Sequence, residues 1–183
     1  LTPQEFEQLK MHTIKSAKFA SESLLFSREV ASIINQHHER WDGTGYPEGR
    51  KGIEIATTSR ILSVADAFDA MISKKSYRNS MIAYEAVKNL LGDKGKRFDP
   101  SVLKLFIKCI GVYPVGSNVL LNDGSLALVF ESVINAPFMP NVKIIQTPSN
   151  NTSSLHQIVP LSQQKTLFIA RALRSEEVVI AQK

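Results

Sequence analysis

Residues 36–49 read QHHERWDGTGYPEG, and they hold two of the chain's four histidines side by side. Upstream, Val30, Ile33 and Ile34 recur at helical spacing behind a Ser27 cap. His37 lies four residues after Ile33 and His38 four after Ile34, so both prolong the inward stripe of that helix. The Gly- and Pro-rich segment 43–52 then ends it. Adjacent residues on a helix diverge by about 100°. The pair is therefore expected to serve different ions of a multinuclear centre rather than chelate one.

Working outward, helices with clear stops fill the first 111 residues. One helix is expected from the Thr2 cap to about Leu25, with Phe6, Leu9, Thr13, Ala17, Ala20 and Leu24 near one stripe, and His12 points to the same core. A third helix, about 56–73, carries Ile61, Leu62, Ala65 and Phe68. A fourth runs from Ser80 to Gly92, and a fifth from the Asp99 cap and Pro100 to Gly111. Beyond Gly111 the pattern changes to short β-rich runs, with a hairpin signal at Asn122-Asp123-Gly124. NVKIIQ, HQIVPL and KTLFIA read as further strands. The expected fold is mainly α: a helical domain over 1–111, then a small β-rich domain over 112–183.

Bulk properties exclude several classes. The apolar and charged fractions are those of a globular protein. No apolar run reaches the roughly 20 residues that cross a bilayer, and no signal segment opens the chain. The lone Cys109 excludes an internal disulfide, fits a reducing cytoplasm, and reads as a buried thiol in VLKLFIKCI. The net charge of +5 thickens at Lys74, Lys75 and Arg78 and again at Lys94, Lys96 and Arg97. Such clusters are solvated faces or seats for an anionic phosphate. No nucleic-acid recognition motif accompanies them, so nucleic acid is not an expected partner.

Asp66 sits in RILSVADAFDAM, four residues after Leu62 and three before Asp69, so both carboxylates share one side of an apolar helix. A buried carboxylate needs a cationic partner. Arg60 is one candidate and a metal ion the other. Each histidine likewise reads either as a hydrogen-bonded core residue or as a ligand. Three helices presenting His or Asp inward bring the metal reading level with the structural one, and mixed N/O donors suit iron, manganese or zinc. Glu39 is expected in a non-ligand role.

HHERWDGTGYPEG, followed by RILSVADAFDAM and KSYR, resembles the HD-GYP family of bacterial metal-dependent phosphodiesterases, over residues 1 to about 110. The resemblance implies an all-helical HD-type bundle and cyclic di-GMP as substrate, hydrolysed to pGpG or GMP in second-messenger signalling. It implies metal ligation by His12, His37, His38 and Asp66, and two or more divalent ions, iron or manganese foremost. Gly45, Tyr46 and Pro47 match the loop tied to substrate access and to a partner diguanylate cyclase domain. Lys75 and Arg78 fall where the family holds substrate phosphates, with Asp69 beside them to orient one. No catalytic group beyond the metal ligands is assigned, and a homodimer is left open.

Two departures stand out. The family's Arg-Pro before the tyrosine is here Lys75-Ser76, which keeps the charge without bidentate geometry. The family's upstream His-Asp pair has no counterpart before His12. The start at Leu1 and the helix cap at Thr2 lead to the expectation that the pair lies further upstream in a longer polypeptide. The other reading is a catalytically incomplete module that binds cyclic di-GMP or docks a diguanylate cyclase. Residues 112–183 are expected to be an interaction or regulatory appendage.

Overall fold

The computed structural model describes residues 2–73, 80–148, 155–174 and 176–178. The chain divides into two compact units, Leu1–Ala70 with Leu90–Leu103, and Met71–Asn89 with Lys104–Lys183. The helices are α1 (Pro3–Lys10), α2 (His12–Glu22), α3 (Arg28–Gln36), α4 (Thr57–Ile72), α5 (Ala83–Gly92) and α6 (Pro100–Ile110), with a short 3₁₀ turn at Gly52–Glu54. The strands are β1 (Asn118–Leu121), β2 (Leu126–Glu131), β3 (Asn141–Gln146), β4 (Ile158–Pro160) and β5 (Ile169–Leu173). The expected mainly helical fold followed by a β-rich segment is what the chain adopts.

In the first unit, α1 opens with the Thr2–Glu5 capping box and Pro3 in its first turn. The single helix expected over 2–25 is instead two. The Met11 N–H drops to the Gln8 carbonyl at 3.2 Å, and the regular ladder resumes with Lys15 N–H on Met11 O at 3.0 Å. In between, the His12 ring and the Thr13 hydroxyl take the carbonyls of Leu9 (2.7 Å) and Lys10 (3.1 Å). Side chains thus occupy acceptors that continuous helix would use.

Helix α2 packs against α3, which the Ser27 hydroxyl caps by accepting from the Val30 N–H. α4 turns an unexpected face inward. Ser59, Ser63, Val64 and Ala67 are buried, while Ile61 and Leu62 are exposed. The Ser59 hydroxyl donates to the Ile33 carbonyl, and the Ala56 N–H donates to the Gln36 side chain at 2.8 Å. These bonds draw the small residues of α4 toward α3, and an apolar count misses them. Phe6, Leu9, Phe19 and Leu24 of the first two helical segments are also exposed.

The second unit holds a five-stranded antiparallel sheet in the order β4-β3-β2-β1-β5. The β1–β2 hairpin turns at Asn122-Asp123-Gly124, where Gly124 has φ +86° and the Asp123 carboxylate accepts from the Ser125 N–H. Alternation then sends Val119, Leu121, Ala127, Val129, Val142 and Ile144 into one core, with Leu161 beneath. Cys109, expected to be buried, is exposed. It lies two residues past Ile107, about 200° around the helix, which turns it away from the buried Leu103 and Ile107.

Asp99 joins two structural roles in the first unit. One carboxylate oxygen caps α6 through the Ser101 N–H at 2.8 Å, and the other accepts from Arg60 at 2.6 Å. Asp99 is 5% exposed and the Arg60 side chain 16%. Replacing Asp99 by Ala removes a cap and strands a buried guanidinium, so a loss of about 3 kcal/mol or more is expected in urea unfolding.

Candidate metal centre

The inward helix carrying the histidine pair stops two residues earlier than its pattern suggests. Gln36 ends α3, and His37 is its C-cap. His37 itself keeps right-handed helical dihedrals, φ −67° and ψ −14°, as it leads into His38. Their rings lie side by side, with centroids 4.0 Å apart and planes at 38°. His12, at the start of α2, meets them edge-on at 5.4 Å and 4.9 Å. One ligand atom from each of the three lies within 4.8 Å of the others.

The partners set the tautomers. A carbonyl only accepts, so His12 donates its Nδ1–H to Leu9 O at 2.7 Å and His37 donates its Nδ1–H to Ile34 O at 2.6 Å. Each neutral ring then carries its lone pair on Nε2, aimed away from its own backbone. A histidine ligand whose other nitrogen is held by a carbonyl is the usual arrangement at metal sites. Burial pushes the His38 pKa down to about 4, helped by the charge of His37 and opposed by Asp66. His38 is thus neutral near pH 7. The donor set fits a divalent cation.

Glu39 shapes the segment after the histidines. Its carboxylate is buried, with the residue 2% exposed, and accepts from the Glu48 N–H at 2.7 Å and the Arg50 N–H at 2.9 Å. These bonds fold the Gly-rich segment back over residues 38–40. A Cβ on Gly45 would come within 2.3 Å of the Arg40 nitrogen and 2.6 Å of the Glu39 Cα, so only glycine fits. The Tyr46 N–H then reaches the His38 carbonyl at 3.3 Å, and the Tyr46 ring lies 5.0 Å from the His38 ring. The Tyr46–Pro47 peptide is cis. Burial raises the Tyr46 hydroxyl above its ordinary pKa, against the lowering field of Arg97.

These residues border a cavity of about 480 Å³ lined by Phe6, Lys10, His38, Tyr46, Ser63 and Arg97, among others. Its cations include Lys10, held by Glu7 at 2.6 Å, and Arg40, near Asp42 at 3.5 Å. The cavity is therefore suited to an anionic ligand beside a cation site.

The structure brings some of the expected site residues together and leaves others apart. His12, His37 and His38 converge, with Gly45 and Tyr46 over them. Asp66, half-buried on α4, acts electrostatically on His38 and Tyr46 but stands outside the tight histidine group. Arg60, the alternative partner for Asp66, is engaged by Asp99 and Thr57 instead. Asp69 is exposed on α4. Lys75 and Arg78 lie outside the described residues. The shaping role of Glu39 and the placement of Arg97 were not foreseen. A clue to Glu39 was its position between the histidines and a loop that must close.

In metal-free protein, the His38 ring resonance should titrate near pH 4 instead of near 6.5. Between those values the unfolded chain binds more protons at this site, so metal-free protein should lose stability as pH falls from about 6.5 to about 4. Gly45→Ala should lower stability by about 1–3 kcal/mol in thermal unfolding and weaken metal binding, because the loop must move off the 39–40 backbone.

Residues 1–102 match the HD domain family model, and residues 118–180 match a KOW domain associated with HD domains. A cyclic di-GMP phosphodiesterase of Pseudomonas aeruginosa is 33% identical over 163 residues, which is 89% of this chain and 39% of that protein. One from Borreliella burgdorferi is 37% identical over 145 residues, 79% of this chain and 38% of that protein. One from Thermotoga maritima is 42% identical over 109 residues, 59% of this chain and 30% of that protein. The chain thus spans less than two-fifths of the length of these relatives. Among the described residues no helix is long and apolar enough to cross a membrane. With its histidine pair, its Gly-Tyr-Pro loop and its KOW segment, the chain belongs to the HD domain family, in the HD-GYP branch.

Proposed function

We propose that the protein is a metal-dependent phosphodiesterase that hydrolyses cyclic di-GMP, to pGpG or GMP, in bacterial second-messenger signalling. The observation that carries this reading is the convergence of three histidines beside a cation-lined cavity. His12 and His37 are oriented by carbonyls and His38 is kept neutral by burial, so all three are ready to coordinate. The names of the relatives support the substrate.

In this reading His12, His37, His38 and Asp66 hold two or more divalent ions; the mixed N/O donors suit iron, manganese or zinc, and the family resemblance puts iron or manganese first. When bound, such ions lower the pKa of coordinated water and neutralise charge on the phosphodiester oxygens. The chain's own residues do the rest. Lys75 and Arg78 hold a phosphate, with Asp69 beside them. Tyr46 and Pro47 form the lip of the site, with the Tyr46 ring presented to a guanine base, and Gly45 lets the backbone come close.

A multinuclear centre needs donors beyond the three histidines and Asp66. We assign these to a His-Asp pair of the kind that the HD-GYP family carries. We take residues 1–111 as the HD-GYP helical domain and 112–183 as the β-rich domain; the two family models stop at 102 and start at 118. A cytoplasmic site of action accords with the substrate class and with a single, unpaired, exposed Cys109.

The test is metal content and cyclic di-GMP turnover in the full-length protein. A His37→Ala, His38→Ala double variant should lose bound metal and fall at least about a hundredfold in turnover, while retaining its circular dichroism spectrum. Turnover unchanged in the double variant would sink the proposal.

A further inference from the structure

We propose that Arg97 is a phosphate-binding residue of this site, contacting a non-bridging phosphoryl oxygen of the substrate. The inference rests on the phosphodiesterase reading and adds a residue to it.

Backbone pairing puts Arg97 where it is. The Trp41 N–H donates to the Arg97 carbonyl at 3.0 Å, and the Asp42 N–H donates to the Lys96 carbonyl at 2.9 Å. The next residues, Phe98 and Asp99, are buried, which anchors the strip that carries Arg97. The histidine segment and residues 96–97 are thus laced together, far apart though they are in sequence. The Arg97 guanidinium lies 5.0 Å from the Phe98 ring centroid, and the side chain lines the cavity shared by His38 and Tyr46. Its field reaches both the His38 ring and the Tyr46 hydroxyl.

Charge pairing then separates Arg97 from its neighbours. Lys10 has Glu7 at 2.6 Å, Arg40 has Asp42 at 3.5 Å, Arg50 has Glu48 at 2.7 Å and Arg60 has Asp99 at 2.6 Å. Among the described residues no carboxylate forms an ion pair with Arg97. Its neighbours in the basic cluster, Lys94 and Lys96, are exposed to solvent, whereas Arg97 is half-buried. A partly desolvated guanidinium that shares a cavity with residues able to hold a divalent cation is placed for an anion lying between the two. A phosphoryl group placed there satisfies both sides, and the planar fork of Arg suits two of its oxygens.

The test uses metal-loaded, full-length protein with two probes, cyclic di-GMP and the generic diester bis(4-nitrophenyl) phosphate. Arg97→Met keeps the aliphatic stem over Phe98, Arg97→Lys keeps the charge, and Lys94→Met serves as the control. Arg97→Met should lower kcat/KM for cyclic di-GMP at least about tenfold, chiefly through KM, with metal content and melting temperature unchanged. Arg97→Lys should recover part of the loss, and Lys94→Met should match the wild type. Values for Arg97→Met within twofold of wild type on both probes would overturn the inference. So would a parallel loss of metal, which marks a structural role. If the wild type cleaves only the generic diester, the cyclic di-GMP reading fails and Arg97 is judged by the same criterion on that probe. If it neither binds nor cleaves either probe, both proposals fall.

Discussion

The buried carboxylate of Glu39 is the interaction on which the site depends. A carboxyl group 2% exposed is costly unless its oxygens are met, and here each oxygen accepts one backbone N–H, from Glu48 and Arg50. Those two bonds close a loop of about ten residues onto the segment that has just delivered the histidines. Gly45 can then lie against the backbone of residues 39 and 40. Tyr46 in turn is brought to the His38 carbonyl, and its ring to the edge of the cluster. A carboxylate held by two backbone N–H groups therefore determines the shape of the pocket beside the histidines.

A second device recurs at the histidines themselves. His12 and His37 each hold the carbonyl three residues earlier, those of Leu9 and Ile34. Both residues stand at helix boundaries, His12 where α1 gives way to α2 and His37 at the end of α3. One hydrogen bond there does two things: it occupies a carbonyl near a helix end, and it sets which ring nitrogen faces the cluster. The helix breaks and the coordinating tautomers have a common origin.

The electrostatics of the site are layered. At its centre, burial keeps His38 neutral and available as a donor. Around it, Asp66 and Arg97 exert opposing fields on both His38 and Tyr46. Of the cavity's cations, Lys10 and Arg40 are balanced by nearby carboxylates, which leaves a local positive potential concentrated at Arg97. Such a surface selects for an anion that reaches the donor cluster.

Much of this was legible in the residues. The Ser27 and Asp99 caps, the Asn122-Asp123-Gly124 turn and the alternation in β1 to β3 are local signals, because each depends on contacts within a few residues. The histidine pair, His12, Asp66 and the Gly-Tyr-Pro loop identified the family and its metal chemistry for the same reason. Other features depend on partners distant in sequence. The split at Met11, the inward turn of Ser59 and Ser63, the exposure of Cys109 and the pairing of Arg60 with Asp99 instead of Asp66 depend on which surfaces meet. So do the burial of Glu39 and the lacing of Arg97 to Trp41. Local propensity and motif spacing determined which residues could act. Only tertiary structure decided that His12 joins the paired histidines, because the packing of α2 on α3 depends on surfaces that lie apart in the sequence.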